Sequence, residues 1–363
     1  MNSIARSIIA ISAVNERIAL MNSVGATWLR AGRRLLSSLP ALFGVLVLTF
    51  LLMRVLPGDP AVFFASGPNS GKEEIAAIRQ QMGLDRPVPV QLLFYLSDVG
   101  RGNLGRSLMT GQPVVTDLRQ RLPASLELTL SALLIALLSA IPLGVLAALR
   151  PGSLIDHGVR LFCALGVCVP TFVSGLLLIY VFYYLLGLAP DPTGRVDVFT
   201  ALPPSRSGFL LIDFLLAGDL DGWWAALRQL ILPAATMALF VIAPLARITR
   251  ASMLVALGSD FVRSARSVGL SRWRIVVTYA LRNAILPVIT IAGIVFSTML
   301  GANVLVEKVF SWPGVASYAL DALLSSDYAP VQGFVLLMAS VFVVVNLMVD
   351  LLYGIADPRV SIG

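Results

Sequence analysis

Long apolar runs, separated by short clusters of Arg, Pro, Gly and Asp, dominate the pattern of hydrophobic and polar positions along this chain. Six of them stand out, at residues 35–56, 122–149, 159–188, 230–245, 284–306 and 331–355. Most reach the ~20 residues that carry a helix across a hydrocarbon core of roughly 30 Å at about 1.5 Å per residue. They are continuous rather than alternating, which excludes a transmembrane β-barrel. The fourth is the shortest and carries Pro233 and Pro244, so its helix is expected to begin earlier, near Trp224. Pro142, Pro170 and Pro287 also fall inside runs; neighbouring helices or water can satisfy the freed carbonyls, and each proline is expected to kink its helix. The pattern predicts an all-α polytopic membrane protein with six transmembrane helices.

Composition agrees: the 363 residues are 57% hydrophobic and 13% charged, against about 25% charged in soluble domains. An ordinary soluble enzyme is excluded. The single His157 and two cysteines exclude nearly all metal and Cys/His chemistry. The net charge of +7 gains meaning from its placement. With a cytoplasmic N-terminus, residues 1–34, 150–160, 247–282 and the tail from 355 carry 15 Lys/Arg and 4 acids. Residues 57–121, 189–228 and 308–330 carry 11 Lys/Arg and 13 acids over a longer stretch. Basic residues mark the cytoplasmic side and acids contribute little, so the chain reads as N-in and C-in. Arg119 and Arg121 oppose this, but they close a long loop, where the rule weakens. Residues 1–34 form a cytoplasmic extension and 356–363 a cytoplasmic tail. Met21-Asn22-Ser23 repeats Met1-Asn2-Ser3, which makes Met21 a second candidate start, and Glu16-Arg17 with a short apolar stretch makes residues 1–20 a poor signal peptide.

The external loop 57–121 reads as ordered. Leu56-Pro57-Gly58-Asp59-Pro60 stops the first helix. Ser70 and Glu73 have capping-box spacing, and Ile75, Ile78 and Met82 then share a helical face up to Gly83. A second short helix follows Pro89, and Gly102-Asn103-Leu104-Gly105 marks a tight turn. Gly67-Pro68-Asn69-Ser70-Gly71-Lys72 superficially resembles a phosphate-binding loop, but it has three residues between its glycines where four are needed and Glu73 where Ser or Thr would bind magnesium. Cys163 and Cys168 lie five apart on one helix, about 140° around its axis, and read as packing residues. His157 beside Asp156 reads as a solvated loop histidine, and Ser174-Gly175 has no histidine at membrane depth to activate it.

The segment Arg247 to Arg282 holds seven arginines and one acid in 36 residues. It is first a topology signal, and nothing around it offers the aromatic platforms or recognition helix of a nucleic-acid surface. Within it, Ser259 or Asp260 can cap a helix that Gly269 stops in the left-handed conformation, and Ser271 can cap a second helix leading into the fifth span. On the first helix Phe261, Ala265 and Val268 fall on one face, with Arg263 and Arg266 turned away. Such a helix below a membrane can lie on anionic lipid or insert into a partner's groove; the pattern alone leaves both open.

Arg263-Ser264-Ala265 followed by Gly269 resembles the loop by which permeases of ABC importers dock on their ATPase. The chain is similar more narrowly to the B-type subunit of the dipeptide/oligopeptide/nickel permease family. Further pieces that match are Gly102-Asn103-Leu104-Gly105-Arg106-Ser107, Ile141-Pro142-Leu143-Gly144, Phe310-Ser311-Trp312-Pro313-Gly314, Asn346-Leu347-Met348-Val349-Asp350 and Asp357-Pro358-Arg359. The general pattern has Glu-Ala-Ala where this chain has Arg263-Ser264-Ala265, a substitution that looks usual for the peptide branch. The resemblance implies a multi-pass permease in a bacterial-type inner (plasma) membrane, one half of a heterodimeric pore with a homologous second permease subunit. It also implies two cytoplasmic ATPase subunits, an extracytoplasmic solute-binding protein and no nucleic acid. ATP and magnesium would sit on the ATPase subunits, with no cofactor or metal on this chain and no catalysis by it. The coupling residues carried over are Asp260, Phe261, Arg263, Ser264, Ala265, Arg266, Gly269 and Leu270. Glu127, Asn303 and Glu307, polar in or beside spans, are expected either to line the translocation path or to serve as structural hydrogen-bonding groups. The alternative is an ion-coupled secondary transporter of peptides, which should show carboxylates deep in several spans.

Overall fold

A computed structural model describes residues 36–55, 72–81, 83–197 and 200–356, with the isolated positions 32 and 61. The expectations for residues 1–31, the Leu56 to Pro60 break, the Ser70 cap, the Gly67 to Gly71 decoy and the tail beyond 356 lie outside the described residues, as does the Asp350 side chain.

The described residues form helices and no strand. α1 (Leu36–Val55) is the first span. α2 (Lys72–Gln81) and α3 (Val88–Gly100) are the two short helices expected in the external loop. Gly83, at φ +65°, ends α2 as the pattern required. α4 (Val114–Leu149) is 36 residues long and begins eight residues before the expected span. It packs most extensively on α8 (Leu220–Leu257). This contact is built from small residues at four-residue spacing: Ala132, Ala136, Ala140, Gly144 and Ala148 are all buried. A methyl at Gly144 would lie 2.6 Å from Thr249 Cβ and 2.8 Å from the Ala246 carbonyl oxygen. Backbones approach this closely only where side chains are small, the usual basis of helix association in lipid.

The fourth run understates its helix. α8 spans 38 residues, capped at its start by Asp219, whose side chain accepts from the Gly222 amide, and it passes both Pro233 and Pro244 without a break. It is also the most enclosed of the long helices. The short apolar run reflects that position: walled in by protein, its polar ends need not satisfy lipid.

The third run is not one straight span. α5 (Leu154–Cys168) and α6 (Thr171–Leu185) meet at an angle of 103°. Pro170 makes the bend, because a residue before proline is driven out of the helical region, and Val169 sits at φ −88°, ψ 125°. Both cysteines of α5 are free thiols, Cys163 buried and Cys168 exposed. After α7 (Leu210–Ala217) and α8 comes α9 (Asp260–Ser267). α10 (Arg272–Ala302) then starts inside the basic loop and runs as one helix through the fifth span, wider turns at Ile275–Leu281 included. It stops at Asn303, and α11 (Val304–Val309) restarts the chain, so the expected span 284–306 is broken near its end. α12 (Val315–Leu324) and α13 (Tyr328–Ala356) follow.

Two ends of the bundle are chemically distinct. One gathers the end of α4, the start of α5, the end of α8, α9 and the start of α10, with nine of the 19 described arginines; the other gathers residues 103–113, the starts of α4 and α7, α11 and α12.

Candidate functional site: a glycine-cornered helix at the basic end

The α8 helix delivers the chain to Gly258 and Ser259, and α9 starts at Asp260. Its termination is a Schellman closure. The Gly269 amide donates to the Arg266 carbonyl at 3.0 Å and the Leu270 amide to that of Ala265 at 3.2 Å. This geometry needs a left-handed residue at Gly269, whose φ is +81°. An apolar contact accompanies it, since Leu270 packs with Val262, Ala265 and Ile275. Ser271 then caps α10, accepting from the Arg274 amide. The α9 helix therefore sits on the first turns of α10 like a bracket.

Its faces differ from the sequence expectation. Ala265, expected beside Phe261 and Val268 on a displayed apolar face, is 7% exposed and turned inward with Val262. Val262, which the pattern did not single out, is the main anchor at 1% exposure. The displayed apolar groups are Phe261 and Val268, 41% and 80% exposed, with Ser264, Arg263 and Arg266 also open to solvent. The reason is geometric: Val262 and Ala265 are three apart, and a short helix bracketed on its neighbour must spend one such pair on its own support. Asp260 and Arg263 form an exposed ion pair at 3.4 Å.

The bracket's base is closely packed. Met253 and Ala256 of α8, Ala148 of α4, and Val276, Ala280 and Ala284 of α10 form one buried cluster. A polar clamp that sequence reasoning missed lies beside it. Asp156 of α5, 1% exposed, receives Arg250 Nε at 2.7 Å and Nη2 at 2.8 Å, with the Gly152 amide at 3.0 Å. The signal was available: Asp156 is the only acid in the basic segment 150–160. Its neighbour His157 is exposed, as expected, but sits in the first turns of α5 rather than in a loop, with Nδ1 2.8 Å from the Ser153 carbonyl.

The three candidate path residues lie at the other end, each enclosed by this chain's own elements. Glu127 pairs with Arg195 and accepts from the Leu211 amide at 2.9 Å, tying the start of α7 and the loop before it to α4. Asn303 is 1% exposed and donates through Nδ2 to Thr129 Oγ1 at 2.7 Å, while its Oδ1 has no partner. Glu307, fully buried, accepts from Ser125 Oγ at 2.6 Å and from the Ser317 amide at 2.7 Å, where it caps α12. None of the three presents its carboxylate or amide to a surface of the chain, because buried polar groups on facing helices found partners in one another. A second polar knot lies nearby: Tyr318 OH and Thr110 Oγ1 donate to Asp117, at 2.7 and 2.6 Å, and Ser107 Oγ to Asp327 at 2.8 Å. Burial pushes the Asp327 carboxyl above the usual range, against the hydrogen bonds from Ser107, Leu108 and Met109.

A multi-helix membrane bundle with a bracketed helix displayed at its basic end has the architecture of a transport component. Two family models bear this out. "Binding-prot-dependent transport system membrane comp, N-term" matches residues 31–129, and "Binding-protein-dependent transport system inner membrane component" matches residues 140–362. The chain belongs to this family, the permease subunits of ABC importers, and is a multi-pass inner-membrane protein. It is 42% identical over 328 residues to the di/tripeptide transport system permease protein DppB of Pseudomonas aeruginosa, covering 90% of this chain and 97% of that one. It is 42% identical to the probable D,D-dipeptide transport system permease protein DdpB of Escherichia coli (88% and 94% covered), and 39% identical to the dipeptide transport system permease protein DppB of the same species (90% and 97%).

Proposed function

We propose that this chain is one half of a peptide-importing pore whose basic end faces the cytoplasm, and that α9 is the surface on which an ATPase subunit docks. The observation that carries the reading is α9 itself, with Val262 and Ala265 buried inward while Phe261, Arg263 and, just past its end, Val268 stand exposed. A helix whose inner face is anchored and whose outer face is unsatisfied can transmit movement as a rigid body. Closure of the ATPases would displace α9, and the clusters at its base would pass the displacement to α4, α8 and α10, an alternating-access change of the hinge or shear type. Phe261, Arg263, Ser264 and Arg266 supply the contact in this account, with Asp260 at the helix start; Ala265, Gly269 and Leu270 hold its geometry. The homologous second permease subunit, the two ATPase subunits holding ATP and magnesium, and the extracytoplasmic binding protein complete the system, and this chain performs no catalysis. The substrate class is peptide, by likeness to the named relatives.

The test is Gly269→Val. Space is not the obstacle, since an added Cβ would meet nothing within 4 Å, but φ +81° is strained for a β-branched residue. Normal membrane insertion with loss of ATP-dependent uptake of labelled dipeptide is expected. Near-normal uptake would overturn the assignment of α9.

A further inference from the structure

A groove of about 940 Å³ opens at the basic end, between the last turns of α4 and the start of α10. Its floor is apolar, including Leu146 and Leu149 of α4, and its lining includes Arg150, Arg266, Arg272 and Trp273. There is no acidic residue in that lining, and among the described residues none of these three arginines forms an ion pair. The cations are thus gathered over a greasy cleft without a counter-charge. The apolar floor also continues: Leu134 and Leu138, 58% and 68% exposed, extend the Leu146 and Leu149 face along α4. From Leu134 to Leu149 this strip runs about 22 Å at ~1.5 Å per residue. Trp273, 77% exposed, stands level with the arginines, as tryptophans do at headgroup depth.

We infer that this groove binds an anionic phospholipid of the adjacent leaflet, its phosphate held by Arg150 and Arg272 and an acyl chain laid along the α4 leucines. Guanidinium groups recognise phosphate through paired charge-assisted hydrogen bonds, and basic pockets between helices at the cytoplasmic face suit anionic headgroups. The arginines and the long apolar strip together favour lipid. A soluble ATPase would cover the rim without the strip, and the chain's own residues 1–34 carry five arginines against one glutamate, the wrong charge to fill the site. Because Arg272 lies just past the Gly269 corner, the lipid would bridge α4 to the moving bracket. The inference rests on the reading that the basic end lies at the cytoplasmic leaflet.

The test is native mass spectrometry of the full chain, alone and assembled with its partner subunits, titrated with phosphatidylglycerol or phosphatidylcholine. The expected result is one phosphatidylglycerol retained in preference to phosphatidylcholine in both preparations and not displaced by millimolar inorganic phosphate. The Arg150→Gln/Arg272→Gln double variant should weaken retention by about fivefold per arginine. Both residues are exposed and lie outside α9, so folding and ATPase binding should persist, and co-purification of the ATPase reports failure of the docking proposal separately. Equal retention of the two lipids, unchanged retention in the variant or displacement by inorganic phosphate would each overturn the inference. So would loss of the lipid in the assembled complex, which would make a partner subunit the occupant.

Discussion

Gly314 offers a sharp perturbation, because the obstacle to a side chain there is chemical rather than conformational. Its φ is −93°, ordinary for any residue, yet an added Cβ would lie 2.1 Å from Glu307 Oε1, 2.3 Å from Cδ and 2.4 Å from Oε2. In Gly314→Ala the carboxylate must leave its seat. It would forfeit the bonds from Ser125 Oγ and the Ser317 amide while staying fully enclosed. A polar group left buried without a partner costs about 1–3 kcal/mol, and the carboxyl, the Ser125 hydroxyl and the Ser317 amide would all be left so. The expected destabilisation is therefore about 3–5 kcal/mol, a fall in thermal midpoint on the order of 10 °C. The assay is the melting of detergent-purified protein followed by size-exclusion fluorescence. Gly269→Ala is the internal comparison: its methyl meets nothing, and only the left-handed φ opposes it, at about 1–2 kcal/mol. The pair Gly314→Ala/Glu307→Ala should lose clearly less than the sum of its single variants, because the methyl then occupies space the carboxylate vacated. A Gly314→Ala midpoint within a degree or two of the parent, or strict additivity, would refute this account of Glu307 as the cap of α12.

Two further outcomes follow from the polar contacts. Asp156→Ala leaves the Arg250 guanidinium without its acid and should lower the melting midpoint, while Asp156→Ala/Arg250→Met should recover most of the loss; equal melting losses in the single and double variants would show that the clamp is not a unit. A cysteine placed at Asn303 in a chain lacking Cys163 and Cys168 should resist an external thiol reagent at rest and react only during ATP-driven turnover, when the helices around Thr129 part. Labelling at rest would contradict the enclosure seen here, and complete protection in every nucleotide state would remove Asn303 from the proposed path.

Much of this architecture is legible in the sequence because lipid imposes a one-dimensional rule: a helix facing hydrocarbon must be continuously apolar. The rule fails where protein replaces lipid. The fourth run is short because α8 is walled in by α4, α5, α6 and α10, and its 38 residues are held by Ala and Gly contacts that hydropathy does not register. Likewise one run conceals the 103° bend at Pro170, since apolar composition is blind to direction. At the coupling loop, Ser271 and Gly269 were readable because caps and left-handed positions are local chemistry. The inward face was not: that Val262 and Ala265 are buried depends on where α10 places Ile275, a tertiary fact. The polar residues behaved in the same way. Glu127, Asn303 and Glu307 announced themselves as costly in lipid, but their partners Arg195, Thr129 and Ser125 lie 68, 174 and 182 residues away.

If α9 carries the ATPase contact, its exposed residues must lie within cross-linking distance of that subunit. Val268, the residue that closes α9, is 80% exposed, and Leu202 is 69% exposed in the loop before α7 at the opposite end. Single cysteines at these positions, in a chain lacking Cys163 and Cys168 and assembled with its partner subunits, would be treated with a short thiol-specific cross-linker. The account predicts that Val268→Cys joins to an ATPase subunit, with a yield that changes on ATP binding, and that Leu202→Cys does not. Equal yields from the two positions, or no ATPase adduct from Val268→Cys in any nucleotide state, would contradict it.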